Sequence, residues 1–170
     1  EPVELDEIVV TAQRREQPEI DVPISISVID EAFIAEQGMV DLADISVHVS
    51  NARFNNAAIF PDYRIRGFGT AGVNPVFEQS VGLVLDGIPY SSKFMYMGAL
   101  FDLRQVEIMR GPQGALYGKN TTAGLINLIS RRPTPQRQLQ FDLQWGNLDR
   151  QRYQFSAGGA LLDGWLNARL

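Results

Sequence analysis

Residues 138–145, Gln-Leu-Gln-Phe-Asp-Leu-Gln-Trp, alternate polar and apolar without a break. A period of two places Leu139, Phe141, Leu143 and Trp145 on one face of a strand and Gln138, Gln140, Asp142 and Gln144 on the other. Asn147 to Arg150 reads as a turn, and residues 152–161 alternate again for most of their length. Asp163-Gly164 is a second turn signal, and a third strand begins at Trp165. Long amphipathic strands joined by short turns restrict this part of the chain to an antiparallel sheet. Two environments suit it: a meander on a water-soluble core, or the wall of a transmembrane barrel, whose strands run about 9–11 residues. Three strands do not close a barrel, and lipid tolerates no open sheet edge. The barrel reading therefore calls for more strands than this chain carries.

The preceding part follows different rules. Residues 23–29, Pro-Ile-Ser-Ile-Ser-Val-Ile, alternate as a half-buried strand. Asp30 is a good N-cap for a helix near 31–37 that Gly38 stops. Asp41 caps a second short helix through about His48, with Leu42, Ile45 and Val49 on one side. Short strands follow at 63–66, 105–110 and 125–130. Asp86-Gly87, between Val81–Leu85 and Ile88–Tyr90, demands positive φ and predicts a tight hairpin, with Pro89 keeping its second strand brief or at an edge. Residues 68–80 and 91–98 are loops. The reading is a small α+β domain with a mixed sheet, short helices and long loops.

Charge divides along similar lines. Residues 1–50 carry 12 acidic and 2 basic side chains, residues 51–137 carry 5 and 10, and residues 138–170 carry 3 of each. An overall charge of −5 argues against general nucleic-acid binding. With no cysteine there is no disulfide, thiolate nucleophile or cysteine-based metal site. A single histidine, His48, excludes histidine-pair metal sites. No run of about 18 apolar residues is present to cross a membrane as a helix. Gly118-Lys119-Asn120 imitates the end of a phosphate-binding loop, but Gln113 and Asn120 occupy positions where that motif requires Gly and Ser or Thr. The chain is expected to be no enzyme, with no catalytic residue, cofactor or protein-held metal.

The N-terminus holds a β-prone run, Ile8-Val9-Val10-Thr11-Ala12, inside a charged stretch that ends at Pro18. Two readings are open. One is an exposed tail whose extended segment adds as a strand to a partner's sheet; the other is an edge strand of the chain's own sheet.

Three stretches carry a family resemblance. Val106-Glu107-Ile108-Met109-Arg110-Gly111-Pro112-Gln113-Gly114-Ala115-Leu116-Tyr117-Gly118-Lys119-Asn120, with Ala123-Gly124-Leu125-Ile126-Asn127, closely resembles the signature of TonB-dependent outer-membrane receptors. Ile65-Arg66-Gly67-Phe68 and Val84-Leu85-Asp86-Gly87-Ile88-Pro89 resemble further motifs of that family, and Asp6-Glu7-Ile8-Val9-Val10-Thr11-Ala12 looks like its TonB box. The resemblance covers the chain in order. It implies a flexible N-terminal tail with the box (1–22), a plug domain (23–135), and the first antiparallel strands of a 22-stranded transmembrane β-barrel (136–170).

The resemblance also implies the function. Such receptors bind scarce solutes, commonly ferric siderophores, at the outer membrane of Gram-negative bacteria. TonB, with ExbB and ExbD, draws on the proton-motive force to pull on the box and admit the solute to the periplasm. TonB contact falls to Asp6, Glu7, Ile8, Val9, Val10, Thr11 and Ala12. Arg66 and Arg110 map onto arginines that meet barrel-wall carboxylates, and Glu107 is expected to join that latch. The outward loops offer Asn74, Phe77, Phe94 and Tyr96 as solute contacts. Gly111, Gly114 and Gly118 are expected to serve backbone turns. A stand-alone, plug-like periplasmic or surface binding module without transport is the alternative. Further amphipathic strands after Leu170 would decide against it.

Overall fold

A computed structural model of the chain describes residues 8–56, 61–70, 78–90, 92, 95, 100–162 and 165–170. Two compact units divide the chain, Glu1–Ser130 and Arg131–Leu170.

In the first unit the elements run β1 (Val9–Val10), β2 (Gln17–Pro18), β3 (Ile26–Asp30), α1 (Glu31–Glu36), α2 (Leu42–His48), β4 (Ala52–Asn55), β5 (Asp62–Ile65), β6 (Phe68–Gly69), β7 (Val81–Leu85), β8 (Ile88–Tyr90), β9 (Leu103–Arg110), α3 (Gly114–Tyr117) and β10 (Gly124–Ser130). The main sheet has five strands in the order β3-β9-β10-β7-β8. Only β10 and β7 are parallel; the other neighbours are antiparallel. The mixed sheet, short helices and hairpin agree with the expected α+β domain. At the β7–β8 turn Asp86 and Gly87 take φ of 48° and 84°, as a primed turn demands.

Helices α1 and α2 start where the sequence places them. The Asp30 side chain accepts from the Phe33 N–H at 2.7 Å, and Asp41 and Asp44 form a reciprocal capping box. Strands β4 and β6 and the single turn of α3 have no clear period in the sequence and emerge only in the fold.

The central strands β9 and β10 are covered on both faces. On one side Val106, Ile108 and Ile126 pack with Leu42, Ile45, Tyr63 and Ile65. On the other, Met109, Leu125 and Val84 pack with Val10, Ala12, Val22 and Tyr117. The approach is close: a Cβ added at Gly124 would come within 2.5 Å of the Met109 carbonyl oxygen.

The second unit is an antiparallel sheet in the order β11 (Gln138–Trp145), β12 (Gln151–Leu162), β13 (Leu166–Arg169). Its register sets Phe141 opposite Phe155 and Leu143 opposite Tyr153, so one apolar face continues across the strands. Trp145 meets Tyr153 edge to face at 6.5 Å. Leu139 is 80% exposed and Trp145 68%. The predicted turn at Asp163-Gly164 lies outside the described residues.

Candidate functional site: the N-terminal segment and its seat

The β-prone run is not a free tail where it is described. Strand β1 pairs antiparallel with β2, with Val9 opposite Pro18 and Val10 opposite Gln17. Val10 and Ala12 are wholly buried against the main sheet, while Ile8 and Val9 face outward. Neither sequence reading foresaw this arrangement: the segment joins no edge of the five-stranded sheet but lies across its face with a short strand of its own. The physical reason is apolar burial. Val10 and Ala12 cover the side of the sheet that α1 and α2 leave open. Asp6 and Glu7 lie outside the described residues.

A carboxylate organises the seat. Glu107 stands mid-strand in β9 and is wholly buried. A charge taken out of water must be compensated by hydrogen bonds. Thr11 donates to its Oε1 twice, from the backbone N–H at 2.6 Å and from Oγ1 at 3.2 Å. Gln105 Nε2 donates to the same oxygen at 2.7 Å, and Asn127 Nδ2 donates to Oε2 at 3.0 Å. Asn127 Nδ2 also reaches Thr11 Oγ1 at 3.1 Å, and Gln105 Nε2 reaches the Val9 carbonyl at 3.1 Å.

The far end of the run is held by Tyr117, whose hydroxyl donates to the Ala12 carbonyl at 3.2 Å. Burial first, and the Glu107 charge second, push the Tyr117 phenol above its ordinary value, with Arg14 opposing. The Arg14 guanidinium lies 5.0 Å from the Tyr117 ring centre. Tyr117 therefore stays a neutral donor at neutral pH.

Glu107 thus departs from its expected place. The resemblance groups it with Arg110, but residues three apart in a strand point to opposite faces. Arg110 lies on the other side of β9 and donates to Ser27 Oγ at 2.6 Å and to the Ser50 carbonyl at 3.3 Å. Arg66 sits in the left-handed turn between β5 and β6, with φ of 54°. The two arginines meet neighbouring residues: the Arg66 N–H donates to the Asn51 carbonyl at 2.7 Å, next to the Ser50 carbonyl that Arg110 bonds. Burial, and then the Arg66 charge, lower the Arg110 value. Neither forms an ion pair among the described residues. Asn74, Phe77, Phe94 and Tyr96 lie outside the described residues.

Sequence reasoning missed Gln105, Tyr117, Asn127 and Arg14. A signal for one of them was present. Asn127 interrupts an otherwise apolar run in β10, and the antiparallel register sets it directly opposite Glu107. Polar residues at inward positions of a doubly covered sheet need a polar partner, and Thr11 supplies it.

Comparison with known proteins gives a consistent picture. The sequence profile of the TonB-dependent receptor plug domain matches residues 18–125. The pesticin receptor of Yersinia pestis is 34% identical over 110 residues, 64% of this chain and 16% of that receptor. The ferrichrome outer membrane transporter/phage receptor of Escherichia coli K12 is 31% identical over 86% of this chain and 20% of that protein. Among solved structures, the ferric yersiniabactin uptake receptor FyuA of Yersinia pestis superposes with a TM-score of 0.78 at 26% identity, over 86% of this chain and 23% of that one. The chain spans about a fifth of the length of the curated relatives it matches.

Proposed function

The chain belongs to the TonB-dependent receptor plug domain family, and from that premise we propose that it forms the gate and first wall strands of an outer-membrane receptor. In this reading the receptor binds a scarce solute, a ferric siderophore first among the candidates, and TonB with ExbB and ExbD drives its import to the periplasm. The relatives matched across this stretch include the ferrichrome transporter and the ferrioxamine B receptor of Salmonella typhimurium. The observation that carries the proposal is the pairing of two unlike units in one chain. A dry, doubly covered α+β unit is followed by a sheet whose apolar side is bare. Such a face needs either lipid or a further protein surface, and strands β11 and β12 have the length and alternation of a membrane wall.

Each predicted site takes its place in this proposal. Residues 6–12 are the strand offered to TonB, since strand addition gives main-chain hydrogen bonds with little demand on side chains. Arg66 and Arg110, close together and without an acidic partner among the described residues, are matched to carboxylates of the wall. The loops bearing Asn74, Phe77, Phe94 and Tyr96 are the solute-facing positions. A barrel of 22 strands around the plug completes the reading.

The test is Val9→Pro in the full-length receptor. Proline removes a backbone donor and disfavours strand pairing. Uptake of the solute is expected to be abolished while its binding at the cell surface is kept. Transport at the unmodified rate would sink the assignment of residues 6–12.

A further inference from the structure

The main chain of residues 8–12 is occupied on both edges. In an extended segment, the N–H and C=O groups of residues i and i+2 point to the same edge. The Ile8 and Val10 edge is closed by β2, where the Glu19 N–H donates to the Ile8 carbonyl at 2.8 Å. Among the described residues no strand closes the Val9 and Thr11 edge. There, Gln105 Nε2 donates to the Val9 carbonyl at 3.1 Å and Glu107 Oε1 accepts from the Thr11 N–H at 2.6 Å. One donor and one acceptor, spaced to meet the C=O of residue i and the N–H of residue i+2, are what a neighbouring β-strand presents.

We propose that Gln105 and Glu107 act as a side-chain stand-in for a missing strand, and that a partner captures residues 8–12 along the Val9 and Thr11 edge by displacing these two side chains. The proposal rests on the reading of residues 6–12 as the TonB-binding segment and says which edge is used and what guards it. Glu107 and Gln105 are positioning residues. They hold the segment extended while denying its edge to any other strand.

The arrangement has a built-in limit on how tightly the segment is held. Gln105 and Glu107 also bond each other, at 2.7 Å, and Asn127 bonds the Glu107 carboxylate at 3.0 Å. When the segment leaves, Glu107 loses the two bonds from Thr11 but keeps these two. The seat therefore retains part of its own polar network, and exchange of one strand for another does not require the sheet behind it to open.

The experiment uses the full-length protein in detergent, as Glu107→Gln and, separately, as Gln105→Ala. The glutamine NH2 takes the place of one acceptor oxygen and so faces either the Asn127 donor or the Thr11 and Gln105 donors; the alanine removes the donor to Val9. Amide hydrogen exchange is read for residues 8–12 and, as an internal reference, for residues 81–85 and 124–128. Binding of the purified periplasmic region of TonB is measured on the same samples.

Both variants are expected to exchange residues 8–12 on the order of tenfold faster with the reference strands unchanged, and to bind TonB on the order of tenfold more tightly. Unchanged exchange at residues 8–12, with TonB bound as by the unmodified protein, overturns the stand-in while leaving the TonB reading intact. Exchange that rises equally in the reference strands overturns it too, because the pair then only supports the core. Faster exchange at 8–12 with unaltered TonB affinity shows that the guarded edge is not the one TonB uses, and refutes the proposal. If no variant binds TonB, nor does the unmodified protein, the reading beneath the proposal fails, and the proposal with it.

Discussion

Strands β9 and β11 are the same length, eight residues each, and place polar and apolar residues in opposite ways. In β9 the charged Glu107 is wholly buried and Gln105 is 8% exposed. In β11 the apolar Leu139 is 80% exposed and Phe141 64%. The difference lies in what covers each face. Layers of this unit pack on both sides of β9, so a polar side chain there must find a polar partner inside the protein. Among the described residues of its own unit no layer covers the apolar side of β11. Alternation shows that two faces differ, and only packing shows what medium each face meets.

The sharpest way to break that contrast is to shave an apolar side chain in each sheet. Ile126→Ala, in a wholly buried position, is expected to cost about 2–5 kcal/mol in denaturant titration of the chain. Leu139→Ala is expected to stay within about 0.5 kcal/mol in the same measurement. Comparable losses at both sites would mean that the second sheet hides its apolar side in water, and the contrast would collapse.

A charge tests the other side of the comparison. Phe141→Arg in the full-length protein places a cation on the proposed lipid face and is expected to cost about 2–4 kcal/mol if it lies near the bilayer centre. Gln140→Arg, on the opposite face, is expected to be tolerated. The yield of folded receptor in the outer-membrane fraction reads both. Equal yields would deny that the bare face is a lipid face.

The smallest effect concerns the seat. Tyr117→Phe removes the donor to the Ala12 carbonyl and is expected to weaken the docked segment by about 1 kcal/mol, read as faster exchange at residues 8–14. It also removes a pH dependence. Below the ordinary phenol value near 10 the hydroxyl keeps its proton whether the segment is docked or free, and its stabilisation is whole. As pH rises through that value toward the raised docked one, the free state loses its proton first and the stabilisation is lost. The alkaline acceleration of exchange at residues 8–14 should be smaller in the phenylalanine variant than in the parent.

Much of the first unit was legible because its signals are local. The caps at Asp30 and Asp41 and the Asp86-Gly87 turn rest on a residue bonding its own neighbours or adopting its own φ, and each stands where the sequence places it. The second sheet was legible because its period is unbroken. Strands β4 and β6 were not, since they exist by virtue of pairing with β5 rather than through any pattern of their own. The seat of residues 8–12 was the least legible part. Thr11 and Glu107 are separated by 96 residues, and no local rule joins them.

The sequence by itself determined many of the elements and the signature of the family, because caps, turns, periods and motifs are properties of short stretches. The tertiary structure decided which face of each strand is dry and which residues share a site. It sent Glu107 and Arg110 to opposite faces of β9 and brought Thr11 to Glu107. The physical reason is that a buried carboxylate must be compensated by whatever donors the fold brings near. Which donors those are depends on strand order and register, set by the packing of distant segments together.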